Sequence, residues 1–229
     1  MNYTSAIILA AGSGTRFGGD IKKQFVDVGG YTPVQRCALA FEKCSDIDEI
    51  IFVGDIDEIT RQLNSLALKK VSAIVEGGAT RQKSALKGFD AISRKSKYVA
   101  IHDAARCLIT PDLISLTVKA AYKNRAALAA EKAVDTIKII DEHGFISKTI
   151  NRENVWLAKT PQVFLADMYR VAAYTADKEG FEATDDCMLC ERLGFKIVPV
   201  DCGSENIKLT NPDDLYRAIE ILKRRGEVQ

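Results

Sequence analysis

The chain has 229 residues, 47% of them hydrophobic, which is enough to bury the core of one large α/β domain or two small ones. Its 32 basic and 31 acidic residues leave a net charge of +1, which argues against a protein that coats nucleic acid or acidic membranes, because both usually need a basic excess. The sequence has neither a long apolar run nor a basic leader, so we expect a cytoplasmic protein without a membrane partner.

Short apolar runs alternate with helical patterns along most of the chain. The runs typical of buried strands are 6–10, 49–53, 73–76, 98–102, 126–130 and 196–200. The segments with helical spacing are 33–43, 56–68, 81–92, 111–122, 165–176 and 212–223, and Pro33, Pro111 and Pro212 stand where a first turn would start. This alternation predicts a mostly parallel sheet with helices on both faces and a ligand site at the carboxyl ends of its strands.

Small residues and cations follow the first predicted strand. Residues 10–14 are alanine, glycine and serine, and Arg16, Lys22 and Lys23 come soon after. Glycines let the backbone approach a ligand, and turn N–H groups beside cations suit phosphate. No Gly-Lys-Ser/Thr follows the glycines, which excludes a P-loop. Phe17 stands where the dinucleotide-binding pattern G-x-G-x-x-G requires its third glycine, which excludes that pattern as well. The segment therefore predicts a site for a nucleotide with several phosphates.

Polar groups also follow two later strands. Residues 77–84 place small residues and Arg81 at a helix start, which fits either a phosphate loop or an ordinary strand-to-helix turn. In Ile101-His102-Asp103-Ala104-Ala105-Arg106, a carboxylate beside a triphosphate is a natural Mg²⁺ ligand. A structural histidine at His102 and a local ion pair between Asp103 and Arg106 are the alternatives.

Three further features lie in the second half of the chain. Residues 136–151 contain two β-like runs around 141–144, which predicts a hairpin, used either as an arm for dimer contact or as a local edge. Lys208 alternates with apolar neighbours and is expected to point away from the core. Of the six cysteines, the pair Cys187-x-x-Cys190 lies in a predicted helix without a second pair, which favours core packing over a metal or redox site.

In this order, the motifs resemble those of one family, the cytidylyltransferases that make 4-diphosphocytidyl-2-C-methylerythritol in the non-mevalonate isoprenoid pathway. The resemblance runs from Ile7 to about Ile221, and its most specific motifs are HDAAR at 102–106, DTIK at 135–138, WLAKTPQ at 156–162 and NIKLTNPDDL at 206–215. It implies a Rossmann-like nucleotidyltransferase fold, with 1–229 as one domain and a dimerisation arm at about 136–155.

The resemblance also implies a role for each residue that matches a motif. Nucleotide-binding roles fall to Ala10, Ala11, Gly12, Gly14, Gly78, Arg81, Ser84, Asp103 and Ala104. Acceptor-binding roles fall to Arg106, Thr136, Arg152, Thr160, Thr184 and Lys208. Catalytic roles fall to Arg16, Lys23, Arg152 and Lys208, with Asp103 as the Mg²⁺ ligand and Arg152 reaching in from the partner subunit of a homodimer.

The expected reaction is therefore transfer of CMP from CTP to 2-C-methyl-D-erythritol 4-phosphate, with release of pyrophosphate. Near relatives of the family transfer CMP to ribitol 5-phosphate instead, so that acceptor is an alternative. A nucleotide-binding regulatory module without catalysis is an alternative from a different class. The expected partners are these small molecules and a second copy of the chain, with no nucleic acid.

Overall fold

A computed structural model describes residues 2–12, 17 and 22–228 of the chain. The strands in this part are β1 (Thr4–Leu9), β2 (Glu49–Gly54), β3 (Val71–Glu76), β4 (Tyr98–Asp103), β5 (Ala126–Lys132), β6 (Ile137–Ile140), β7 (Ile146–Ile150), β8 (Trp156–Leu165) and β9 (Val198–Asp201). The helices are α1 (Pro33–Lys43), α2 (Ile56–Leu63), α3 (Arg81–Asp90), α4 (Pro111–Asn124), α5 (Ala166–Glu179), α6 (Asp186–Arg192) and α7 (Asp213–Arg224). The predicted alternation of strands and helices is confirmed.

Seven strands form one sheet in the order β3-β2-β1-β4-β8-β5-β9. All run parallel except β8, which is antiparallel to both β4 and β5. The chain moves outward from β1 to β2 and β3, then returns to the other side of β1 to form β4. The strand order thus reverses between β1 and β4, whose last residues, Leu9 and Asp103, are paired. In open α/β sheets this reversal is where ligands bind.

Hydrophobic side chains are buried on both faces of this sheet. On β1, Ile8 packs in a cluster with residues of α1, α4 and α7, whereas Ile7 packs in a second cluster with residues of α3 and α5. Neighbouring residues of a strand point to opposite faces, so a run that is apolar throughout marks a strand covered on both sides. The predicted mostly parallel sheet with helices on both faces is confirmed.

The strand β8 was not predicted. Proline is rare inside central strands, and Pro161 stands in the middle of this one. The pairing with β5 explains why it is tolerated, since the register jumps from Leu128–Gln162 to Ala130–Ala158. Three residues of β8, 159–161, therefore lie opposite the single residue Ala129. Pro161 falls in this bulge, where regular pairing is already interrupted.

Other predictions differ only at their boundaries. Helix α2 ends at Leu63 rather than 68, and α7 begins at Asp213 with Pro212 as its cap. The predicted hairpin forms from β6 and β7, which pair antiparallel. Cys187 and Cys190 are buried within an apolar cluster on α6, which confirms core packing.

In the described part of the chain, no helix has the length and apolar character that a membrane span requires. The cytoplasmic location stays a prediction.

Candidate active site

A cavity of about 380 Å³, the first cavity, lies where β1 and β4 end. The predicted site residues that line it are Ala10, Ala11, Gly12, Lys23, Gly78, Arg81, Ser84, Asp103 and Lys208. The fold thus brings together groups from four separate parts of the sequence. Gly14 and Arg16 lie outside the described residues.

Gln24 lines the first cavity and anchors the first loop there. Its side chain is buried, and its Nε2 donates hydrogen bonds to the carbonyl oxygens of Ala10, at 2.8 Å, and Gly12, at 2.9 Å. These two bonds fix the backbone at 10–12 in the wall of the cavity. The motifs assigned no role to Gln24, although it directly follows Lys23.

The second loop is shaped by Ser84. The N–H of Gly78 donates to the Ser84 Oγ at 2.9 Å, and that hydroxyl donates to the carbonyl oxygen of Thr80 at 2.9 Å. A Cβ on Gly78 would lie 2.6 Å from the Cβ of Lys83, so the close turn requires glycine. Ser84 acts here mainly by fixing the turn that lines the cavity.

Asp103 is the centre of a charge network at the end of β4. Its Oδ1 accepts from Arg81 Nε at 3.0 Å and its Oδ2 from Lys208 Nζ at 2.6 Å, while Arg81 Nη1 also reaches Asp186 Oδ2 at 2.7 Å. Burial raises the pKa of Asp103, but the Arg81 and Lys208 charges outweigh it and hold that pKa well below its ordinary value. The carboxylate is therefore ionised at neutral pH.

His102 is a structural histidine, as one of the alternatives predicted. The N–H of Asp103 donates to Thr160 Oγ1 at 3.1 Å, so the Thr160 hydroxyl proton is available to His102 Nδ1, 3.0 Å away. His102 Nε2 then carries the ring proton and donates to the carbonyl oxygen of Arg106 at 3.2 Å. Burial lowers the pKa of His102 to about 3, which keeps this ring neutral. The chain of bonds fixes both ends of the 103–106 turn.

A second cavity of about 250 Å³ adjoins the first. Its lining residues are Arg81, Asp103, Arg106, Ala158, Lys159, Thr160, Gln162, Thr184, Asp185 and Lys208. Four of these are cations and two are carboxylates, so the lining favours an anion. Arg81, Asp103 and Lys208 belong to both cavities and mark the place where two bound ligands would meet.

Arg106 is one of the cations that line the second cavity. The predicted alternative of a local Asp103–Arg106 ion pair is wrong, because Arg106 Nη1 donates instead to the carbonyl oxygen of Asn206 at 3.0 Å. Within the part of the chain that the structure describes, the buried Arg106 Nε has no hydrogen-bond partner. A buried donor without a partner is costly unless a ligand satisfies it.

Gln162 organises the far wall of the second cavity. Its Oε1 accepts from the N–H groups of Asp186, at 3.0 Å, and Cys187, at 3.1 Å, and its Nε2 donates to Asp185 Oδ2 at 2.7 Å. These bonds fix the start of α6 and, with it, Thr184. No role was predicted for Gln162, although it is the last residue of the WLAKTPQ motif at 156–162.

Three of the predicted site residues that the structure describes line neither cavity. Ala104 is fully buried, and its neighbour Ala105 lines the first cavity instead. Thr136 and Arg152 lie on the exposed hairpin arm, where Arg152 Nη1 donates to the carbonyl oxygen of Val134. Within one chain, the arm residues are therefore separate from the two cavities.

The strand order reverses beside two glycine-containing loops and a cavity lined by four cations, an arrangement that suits a nucleotidyltransferase with a Rossmann-like fold. The family model described as 2-C-methyl-D-erythritol 4-phosphate cytidylyltransferase matches residues 4–224. The chain belongs to this family, which confirms both the resemblance predicted from the motifs and the cytidylyltransferase class.

Individual relatives match almost from end to end. The 2-C-methyl-D-erythritol 4-phosphate cytidylyltransferase of Alkaliphilus oremlandii (strain OhILAs) is 39% identical over 231 residues, covering 99% of this chain and 98% of that protein. The protein of the same name from Synechococcus sp. (strain CC9902) is 40% identical over 222 residues, covering 96% and 97%. The crystal structure of 4-diphosphocytidyl-2C-methyl-D-erythritol synthase from Anaerococcus prevotii DSM 20548 superimposes with a TM-score of 0.87, at 32% identity over 97% of both chains.

Proposed function

We propose that this protein transfers CMP from CTP to 2-C-methyl-D-erythritol 4-phosphate, giving 4-diphosphocytidyl-2-C-methyl-D-erythritol and pyrophosphate. The observation that carries the proposal is the pair of cavities that share Arg81, Asp103 and Lys208. CTP in the first cavity would place its phosphates beside these residues. The acceptor phosphate would approach them from the second cavity. The names of the relatives support this choice of substrates.

The reaction needs charge compensation more than proton transfer. An oxygen of the acceptor phosphate attacks the α-phosphorus of CTP, the bond from that phosphorus to the oxygen shared with the β-phosphorus breaks, and pyrophosphate leaves with the electron pair. At neutral pH the attacking phosphate is mostly a dianion, because its second pKa is about 6. The barrier is repulsion between anions and their placement. Lys23, Lys208 and the sequence-predicted Arg16 would supply the positive charge.

Asp103 is the residue that we propose for Mg²⁺. Mg²⁺ is commonly held by one or two protein carboxylates together with substrate phosphates. Among the described residues, no group of three or more His, Cys, Asp or Glu side chains is arranged to hold a metal ion. The donor set therefore fits an ion that arrives with CTP and takes over a contact that Asp103 now makes with Arg81 or Lys208. When bound, the ion would neutralise charge on the phosphates.

Arg106 and Thr184 are the acceptor-binding residues that the second cavity favours. Arg106 Nε is a buried donor that an oxygen of the acceptor would satisfy. Thr160 acts differently, because its hydroxyl already bonds Asp103 and His102 and so positions the carboxylate beside the reacting phosphates.

The hairpin arm, about 136–155, is proposed as the dimer contact. Large apolar side chains on and beside it are exposed, including Val134 at 74% and Phe145 at 71%. Exposed apolar patches of this kind mark interaction sites. A second copy of the chain would cover them, and Arg152 would then reach the second cavity of the partner.

A panel assay tests the proposal against its alternatives. Pyrophosphate release is measured with CTP and Mg²⁺ in the presence of 2-C-methyl-D-erythritol 4-phosphate or ribitol 5-phosphate. We expect release with the first acceptor. Faster release with ribitol 5-phosphate would support the alternative acceptor. CTP binding without release in either mixture would support the regulatory module and overturn the proposed function.

A further inference from the structure

We propose that Lys159 is a further acceptor-binding residue, which Glu131 holds in the second cavity as an ion pair until the acceptor phosphate enters. The inference rests on the proposed function and adds a residue to its acceptor site. Lys159 Nζ lies 2.5 Å from Glu131 Oε2, and Lys159 lines the second cavity whereas Glu131 does not.

The bulge in β8 explains how Lys159 reaches this cavity. In a regular strand, neighbouring side chains point to opposite faces, so Lys159 and Thr160 would not share a cavity. Between Ala158 and Gln162 the pairing with β5 is shifted, and Ala158, Lys159 and Thr160 all line the second cavity. Bulges commonly redirect a side chain next to an active site.

Burial and charge indicate what Lys159 does there. Its side chain is only 9% exposed, and a buried ammonium group is costly unless a carboxylate accompanies it. An ammonium group has three N–H donors, and among the described residues Lys159 forms an ion pair with Glu131 alone. The remaining donors suit an anion that enters a cavity already lined by Arg106 and Lys208.

The competing explanation is an ion pair that only stabilises the pairing of β5 with β8. The two explanations differ when both charges are removed. A structural pair is neutral as a unit, so its joint replacement restores a normal site. A phosphate-binding lysine is lost in the double variant just as in the single one.

The experiment compares Lys159→Met, Glu131→Gln and the double variant with the unmodified full chain, by steady-state pyrophosphate release. Hydrogen bonds to charged groups are strong enough that Lys159→Met should raise the KM for 2-C-methyl-D-erythritol 4-phosphate about 10- to 100-fold. The KM for CTP should stay within about twofold, because the first cavity does not include Lys159. Glu131→Gln keeps the cation but leaves it without its carboxylate, so the acceptor KM should rise less than in Lys159→Met.

Two further variants serve as controls. Lys159→Arg keeps the charge and should stay within about fivefold of the normal acceptor KM. Lys119→Met removes an exposed lysine, paired with Asp46 at 3.4 Å on another part of the surface, and should change neither KM.

The double variant distinguishes phosphate binding by Lys159 from a purely structural ion pair. It also serves if Lys159→Met alone fails to fold because Glu131 is left unpaired. An acceptor KM raised about tenfold or more in the double variant, with the KM for CTP unchanged, supports the proposal. Recovery of the acceptor KM in that variant, or an equal rise for both substrates, overturns it. An unmodified protein that releases no pyrophosphate shows a failure of the proposed function itself, and the inference falls with it.

Discussion

The two cavities and the hairpin arm are built in opposite ways. Asp103 at the edge of the sheet is held by Arg81, Lys208 and Thr160, all from other elements, and it is nearly buried. Arg152 on the arm is exposed, and the side-chain hydrogen bond it makes goes to the backbone of Val134 close by. The cavities are held together by contacts between residues remote in sequence, whereas the bond that Arg152 makes stays close to the arm.

This difference teaches where preorganisation comes from. In the cavities, each charged group already has its position before a ligand arrives, which is what electrostatic stabilisation of a transition state requires. The arm carries exposed apolar residues and a cation, Arg152, that is not among the residues lining either cavity. The arm is therefore expected to act on the site of a partner subunit.

The largest expected effect is on the cavity side. Lys23→Ala should lower kcat by about 10²–10³, because a group that stabilises transition-state charge is lost, while the fold survives. The measurement is steady-state turnover, with circular dichroism to follow the fold. Lys22→Ala is the matched control: Lys22 forms an exposed pair with Asp55 at 3.3 Å, and such pairs contribute little. Equal losses in both variants would contradict a specific role for Lys23.

The next prediction tests the arm. Arg152→Ala should raise the acceptor KM about 10- to 100-fold and leave the KM for CTP nearly unchanged, because a charged hydrogen bond to the acceptor is lost. If Arg152 acts across the dimer, mixing Arg152→Ala with Lys208→Met protomers should restore about a quarter of normal activity. Half of the dimers are then mixed, and each has one intact site. No recovery after subunit exchange would place Arg152 in the site of its own chain.

A smaller effect on the KM for CTP is expected from Gln24, which anchors the first loop. Gln24→Met removes two hydrogen bonds to carbonyl oxygens, each worth about 0.5–1.5 kcal/mol, and frees the loop at 10–12. The KM for CTP should rise about tenfold, while the acceptor KM stays within about twofold, as measured by pyrophosphate release. A variant in which both KM values rise together would show that the loop also shapes the second cavity.

The smallest effect concerns stability against pH. Because the pKa of His102 is lowered to about 3 in the folded chain, its contribution to stability is complete above its unfolded pKa near 6.5 and is lost as the pH falls toward 3. Between pH 6 and 4 the free energy of unfolding should therefore fall as the pH falls, because the unfolded chain binds a proton at this histidine and the folded chain does not.

Urea unfolding at several pH values tests this expectation. The free energy of unfolding of His102→Gln should fall less steeply with decreasing pH than that of the unmodified chain. His143→Gln, on the exposed turn of the arm, should keep the normal slope. An unchanged slope in His102→Gln would contradict a buried neutral histidine.

Local patterns were sufficient for most of the fold. Thr32 caps α1 with Pro33 in its first turn, and Thr110 does the same for α4 with Pro111, so chemistry within a few residues determines where these helices begin. The strand β8 was missed because the feature that admits Pro161 is a shift in pairing with β5, about 30 residues away along the chain. Local sequence does not display such a pairing.

The candidate site shows the same division. Glycine loops and cations after buried strands could be read from the amino-acid sequence, because they depend on residue type and short spacing. The pairing of Asp103 with Arg81 and Lys208 rather than Arg106 needed the folded chain. So did the bonds of Gln24 and Gln162 and the place of Lys159 in the lining of the second cavity. The physical reason is that hydrogen bonds and ion pairs depend on distances between atoms, and folding sets those distances between residues remote in sequence.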